Sequence, residues 1–256
     1  MTANEPETDV IELIDVDCQL GVLPDAPTQI ADPADLAAVQ RRLHISGSVL
    51  AAVSAWLHDP ATGNAETLEL AAQVPGARPA VLITPPLRGE PSVLDSPAWR
   101  SAVLATAAPA WHGWALHDPA LDPIYRAMNR IRRPLRISAL QASWSSLERF
   151  ASTWPGIPLL VGEIGYRTLR ELAGVLDRHS SVHVVLSNFS AHQGLEWLVS
   201  EFGSGRVLFG SGTPWQELGA AVARLRWSGL DRTDLVAIAH GNARRLLSTP
   251  EAVTTR

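Results

Sequence analysis

The sequence predicts an α/β fold, a single (β/α)8 TIM barrel over residues 1–256, and three observations predict it. Short apolar runs alternate with amphipathic segments along the whole chain. The runs at 159–161 and 182–186 are apolar almost throughout, as strands buried on both faces of a parallel sheet must be. The alternation gives eight strand-then-helix units in 256 residues, the arithmetic of such a barrel. A doubly wound open sheet is the main alternative, but it usually has fewer strands and its dinucleotide fingerprint is absent.

In order, residues 11–16 read as the first strand and 35–43 as its helix. Residues 48–54 form the second strand, followed by a helix at 66–74, and 79–84 the third. After a loop rich in Pro and Gly, the alanine-rich stretch 99–107 reads as a helix. Residues 112–116 read as a short fourth strand. The helix at 123–131 opens on Pro123, where a missing N–H costs nothing. Strands at 135–138, 159–164, 182–186 and 207–209 then alternate with helices at 145–153, 167–179, 191–202 and 216–225. A further helix covers 231–240, and the polar ends, 1–9 and 248–256, are expected to be flexible tails.

Composition excludes several chemistries. All 21 Lys-or-Arg residues are arginine. A chain without lysine forms no Schiff base, carries no P-loop lysine and has no carbamylated lysine to bridge two metals. Arginine without lysine, with much Ala, Pro and Trp, points first to a GC-rich genome. One cysteine, Cys18, rules out an internal disulfide and a four-cysteine zinc site. A net charge of −5, with no basic run longer than Arg132-Arg133, argues against nucleic-acid binding. No apolar run approaches the roughly 18 residues of a membrane span. The acidic residues 1–9 do not make a secretory signal, so a cytoplasmic location is expected.

In such a barrel the active site gathers at the C-terminal ends of the strands. The residues there are Asp15, Asp17 and Gln19 after strand one, then Ser54, Trp56 and His58 after strand two. His117 follows the fourth strand, Ser138 the fifth, Glu163 the sixth, Ser187 and Asn188 the seventh, and Gly212 the eighth. Alternation puts Asp15, Asp17 and Gln19 on one face, with Cys18 packed outward. Arg136 shares a face with Ser138. Two carboxylates such as Asp17 and Glu163 in a dry site repel unless a cation lies between them; a hard metal ion, a cationic ligand or an arginine would serve, and Arg136 is the arginine expected there. Of nine tryptophans, Trp56, Trp114 and Trp215 sit near strand ends and would line an aromatic pocket.

Five motifs in order resemble the amidohydrolase superfamily, in its branch of metal-dependent decarboxylases and lactonases. Ile14-Asp15-Val16-Asp17-Cys18-Gln19-Leu20-Gly21 is similar to an opening "I-D-x-H-x-H-x-G". Val207-Leu208-Phe209-Gly210-Ser211-Gly212-Thr213-Pro214-Trp215 is similar to a closing "F-G-S-D-x-P". Gly241-Asn242-Ala243-Arg244-Arg245-Leu246-Leu247 resembles the C-terminal "N-A-x-R-L-L" helix. The segment from Gly113 to Leu135 matches the fourth unit, and Val184-Val185-Leu186-Ser187 the seventh strand.

The resemblance implies metal ligands: two histidines after strand one, one each after strands five and six, and an aspartate after strand eight. Those positions carry Asp17, Gln19, Ser138, Glu163 and Gly212 here. None of the eight histidines falls on one, and catalytic zinc needs about three protein ligands. The expectation is therefore a divergent barrel with no metal and no cofactor, which has lost metal-dependent catalysis. It would bind a small organic acid or act beside a partner, either a second copy or a His-rich active homologue. Binding would fall to Gln19, Arg136, Ser138, Asn188, Trp56 and Trp215. A second expectation is a metal-independent hydrolase or lyase, with Glu163, Asp17 and His117 as acid and base. A third is a hard-metal site of oxygen donors at Asp17, Gln19, Glu163 and Asn188.

Overall fold

In the computed structural model, residues 10–24 and 30–248 are described; the segments 1–9 and 249–256, expected above to be flexible, lie outside them. Eight parallel strands in sequential order form one sheet. They are β1 (Leu13–Leu20), β2 (Ile45–Ala52), β3 (Ala77–Leu82), β4 (Leu104–Ala107), β5 (Leu135–Ser138), β6 (Leu159–Gly162), β7 (Val182–Val185) and β8 (Val207–Leu208). The ring closes through backbone bonds between β1 and the segment after β8, Val16 N–H to Phe209, Gly212 N–H to Asp17 and Gln19 N–H to Thr213. The fold is the (β/α)8 barrel.

The outer helices follow from local signals. Helix α1 (Pro33–Arg42) starts on Pro33 with the Asp32 carboxylate accepting the N–H groups of Ala34 and Asp35. Two helices follow β2, the short α2 (Val53–Leu57) and α3 (Pro60–Gln73). Asp59 caps α3, and its bonds to Thr62 hold its carboxyl below the usual range. Helices α4 (Pro97–Ser101), α5 (Pro109–His112), α6 (Asp122–Ile131), α7 (Trp144–Thr153), α8 (Leu169–Arg178), α9 (Gly194–Phe202) and α10 (Leu218–Arg226) continue the ring. The last helix reads as one segment in the sequence but is α11 (Arg232–Val236), a π turn at Ala237–Gly241 and α12 (Asn242–Leu247).

The fourth unit is a correction. Residues 99–107, read as a helix, are the end of α4 followed by β4. Residues 112–116, read as a strand, are the end of α5 and a loop. Alanine favours helix, but Leu104–Ala107 is buried on both faces and pairs with β3 and β5, Ala105 with Val81 and Leu135. Packing between two strands overrides propensity there.

The sheet separates two cores. Outside, under the helices, lies the larger cluster with Leu50, Ile137, Leu159, Val161 and Phe209, joined by the buried Cys18. Inside lies a smaller one with Val16, Val49, Leu104, Leu160 and Leu208, closed at the base by Ala243 and Leu247 of α12. Strand β1 does not keep strict alternation. One extra residue lies between Asp15 and Cys18 in its pairing with β2, a β-bulge. Asp15 pairs with Ser48, and Val16 joins the inner cluster. The expected common face for Asp15 and Asp17 is thereby lost.

Candidate functional site

At the C-terminal half of the barrel the interior turns polar. Arg136 points inward from β5, level with Thr106 on β4 and Leu160 on β6. Its Nη2 donates to Asp17 Oδ2 at 2.5 Å, with both side chains at most 5% exposed. Gln19, two residues on along β1, donates from Nε2 to Asp17 Oδ1 at 2.8 Å. Both oxygens of the Asp17 carboxylate are thus engaged, by one cation and one amide. Such a pair survives burial only because the charges compensate each other in a low-dielectric interior.

Two glycines make room for the pair. A Cβ on Gly162 would stand 2.6 Å from Ser187 Oγ and 3.5 Å from Arg136 Nη2. A Cβ on Gly210 would meet Val185 Cγ1 at 2.3 Å and Asp17 Cβ at 3.0 Å. Gly210→Ala is therefore expected to destabilise the protein by about 1–3 kcal/mol through overpacking, read as a lower urea midpoint at unchanged slope. A midpoint equal to that of the parent protein would show that the interior is looser than these contacts imply.

Around the pair, several buried polar atoms have no partner among the described residues: Gln19 Oε1, Thr106 Oγ1, Ser187 Oγ, Arg136 Nε and Trp56 Nε1. An unpaired buried polar atom costs about 1–3 kcal/mol, so this concentration at one level marks a place built to meet something polar. The space beside Asp17, Gln19, Thr106 and Arg136 is small, about 10 Å³, room for about one water molecule.

Aromatic side chains cover this level. The Arg136 guanidinium stands 5.7 Å from the Trp56 ring centre. Trp111 meets Trp56 edge-on at 5.9 Å and Trp215 at 5.3 Å. His112 Nε2–H donates to the Trp56 carbonyl at 2.8 Å, and Gln141 Oε1 accepts the Trp111 N–H at 3.1 Å. Trp111 was not singled out from the sequence, because 112–116 was read as a strand. Pro109 at the first turn of α5 and Gly113 at φ 71° after it are start and stop signals that mark the helix.

The other expected residues are placed as follows. Glu163 and Asn188 end β6 and β7, half-buried, with φ of 58° and 48°. Such a left-handed backbone costs on the order of 1 kcal/mol outside glycine and concentrates at functional positions. Ser138 is buried, and its Oγ accepts the Leu140 N–H. His117 lies in the loop between α5 and α6, ten residues past the end of β4. Its Nε2–H donates to the Ser146 carbonyl on α7, and burial and the Arg149 charge hold its pKa down. His58 ends α2, exposed.

Asp15, outside the pair, is displaced as well. It is fully buried, with Oδ1 accepting the N–H groups of Ser211 and Asp17. Burial pushes its pKa from 3.8 to about 6, against the opposing pull of those bonds. Burial and the two nearby aspartates push the Cys18 thiol up, which makes it an inert core residue.

Where the superfamily resemblance implies a fifth metal ligand, Gly212 has φ 70° and a Cβ there would lie 3.1 Å from Ser187 Cβ. Among the described residues no three His, Cys, Asp or Glu side chains group closely enough to hold a metal ion.

Fold and site together define a (β/α)8 barrel with a charged and aromatic cluster at the C-terminal ends of its strands. The family described as Amidohydrolase matches residues 14–249, and the chain belongs to that family. No protein with a curated description matches it. Among solved structures it is similar to an uncharacterized TIM-barrel protein from Bordetella bronchiseptica, at 15% identity, TM-score 0.73, covering 92% of this chain and 98% of that one. It is similar to 2,6-dihydroxybenzoate decarboxylase from Rhizobium at 13% identity and TM-score 0.72, with coverage of 93% and 99%. It is also similar to 5-carboxyvanillate decarboxylase from Novosphingobium aromaticivorans, complexed with manganese and 4-hydroxy-3-methoxy-5-nitrobenzoic acid, at 14% identity and TM-score 0.71, with coverage of 92% and 96%. Identities this low establish the shared fold.

Proposed function

We propose that this chain is an amidohydrolase-family barrel working without a metal ion, and that it binds a small organic acid at the C-terminal ends of its strands. The observation that carries the reading is the buried Asp17–Arg136 pair. It stands where the resemblance would put the first metal ligand, and it does not fit a dication. Both Asp17 oxygens are already engaged, the guanidinium repels a second cation, and the fifth-ligand position is a glycine with no room for a longer side chain.

The choice of an organic acid rests on donors and charge. Arg136 brings a guanidinium charge, and among the described residues Arg136 Nε, Trp56 Nε1 and Ser187 Oγ are donors without acceptors. A carboxylate is the group that would satisfy them, and indole rings suit an apolar or aromatic body. The similar decarboxylases are named for aromatic acids, which agrees with that class. The space beside the pair holds about one water, so the side chains above it must shift to admit a carboxylate.

Calorimetric titration with 2,6-dihydroxybenzoate tests this reading. Saturable 1:1 binding is expected, weakened about tenfold or more in Ser187→Ala or Trp56→Phe, since each removes a buried donor. No binding at millimolar ligand, or binding indifferent to both changes, would reject it.

A second reading is favoured by Glu163, half-buried at the end of β6 in a left-handed backbone: the same pocket catalyses acid–base hydrolysis or decarboxylation without metal. Asp17, with both oxygens occupied, is poorly placed as its base, so the proton chemistry would rest on Glu163. Turnover of a lactone or aromatic acid by metal-stripped protein, lost in Glu163→Gln, supports it.

A further inference from the structure

A second pocket, of about 610 Å³, opens at the opposite end of the barrel, among the loops that lead into β5 to β8. It is lined by Arg132, Arg206, Arg245, His183, Ser180 and Ser181 among others, and among the described residues by no aspartate or glutamate. That concentration of positive charge stands out in a chain whose net charge is −5. We propose that this pocket binds a small phosphorylated anion.

The three guanidiniums are not equivalent. Arg206 is fixed in place, donating to the carbonyls of Val182, Leu176 and His179. It supplies a held charge, with Asp177 as the carboxylate acting on it. Among the described residues Arg245 bonds through Nη2 alone, to Gly205 O at 2.7 Å and Asn242 Oδ1 at 3.1 Å, which leaves Nε and Nη1 to donate elsewhere. Arg132 is exposed; its backbone N–H bonds the Met128 carbonyl, while its side chain makes no hydrogen bond or ion pair with the described residues.

The backbone at Arg132 adds an independent observation. It caps α6 with φ 53°, the position that glycine usually takes. An arginine there bears a backbone cost that its side chain does not recover in contacts with the described residues. His183 reports the local field. Burial first, then Arg206 and Arg245, push its pKa from 6.5 to about 4. The ring is therefore neutral at pH 7, and the pocket's charge comes from arginine.

Two planar forks with free donors and nearby serine hydroxyls match the three oxygens of a phosphoryl group better than a single carboxylate. The volume suits a ligand of sugar-phosphate to nucleotide size. This pocket is separate from the Asp17–Arg136 level, so the proposal does not rest on the function assigned there.

Isothermal titration of the full chain with inorganic pyrophosphate, with citrate in parallel, tests the assignment. Pyrophosphate is expected to bind 1:1, more weakly as salt is added, and about tenfold or more tighter than citrate. Arg132→Gly and Arg245→Gln should each weaken it about tenfold or more. Glycine adopts φ 53° freely, so Arg132→Gly should melt no lower than the parent protein, and lost binding cannot then be blamed on unfolding. No binding at millimolar pyrophosphate, affinity unchanged in both variants, or citrate binding as tightly, would each overturn the proposal.

Discussion

Arg136→Met is expected to lower the unfolding free energy by about 3–5 kcal/mol, because it strands the Asp17 carboxylate uncompensated inside the barrel. The guanidinium is 5% exposed and the carboxylate 1%, so bulk solvent does not take the place of the lost partner. A loss of that size is a large share of the roughly 5–15 kcal/mol that holds a domain folded, and the variant is expected to be hard to express. Arg136→Met combined with Asp17→Leu should recover most of the loss, since no buried charge then remains. The residue of the cost, about 1 kcal/mol, belongs to the Gln19 amide, which loses its acceptor on Asp17. Urea denaturation of the two single variants and the double closes the cycle. Equal losses in the single and double variants would mean that packing of the arginine stem, and not its charge, is what the barrel needs.

The second large effect is a pH dependence centred on Asp15. Its pKa is about 6 in the folded protein against an ordinary 3.8. Between those values the folded state holds a proton that the unfolded chain has released. Stability from this group is therefore complete below about pH 4 and disappears as pH rises through 6. The full change is about 3 kcal/mol at 1.4 kcal/mol per pKa unit. Other carboxylates contribute in the usual opposite direction, so the comparison is with Asp15→Asn, which stays neutral throughout. The stability of Asp15→Asn relative to the parent should rise by about 3 kcal/mol between pH 4 and pH 7. A pH-independent difference would show that burial leaves the carboxyl's pKa where it stands in the unfolded chain.

Much of this architecture is legible in the sequence because burial on both faces leaves a plain signature. Leu159-Leu160-Val161 and Val182 to Val185 read as strands because neither face meets water. Alternation places Arg136 with Ser138 on one face of β5, and Asp17 with Gln19 on one face of β1. The structure has Arg136, Asp17 and Gln19 at one level.

What was not legible has local causes. The β1 bulge turns Asp15 away from Asp17, and its only trace is a pairing with β2 that the β1 sequence does not contain. Strand β4 hides in alanine, whose preference is helical, and its identity comes from the neighbours on either side. That one misplacement moved His117 to a strand end it does not occupy and concealed Trp111, the ring joining Trp56 to Trp215. The unpaired polar atoms around Arg136 depend on which side chains face each other across the barrel, which no single segment encodes.

The central claim is that an arginine–aspartate pair holds the place where the superfamily resemblance implies a metal ion. It is tested most directly by the metal content of the purified full chain after incubation with excess zinc or manganese and desalting. The account predicts less than about a tenth of an equivalent of either metal, since fewer than three suitable ligands face the site. One full equivalent, lost in Asp17→Asn, would contradict it.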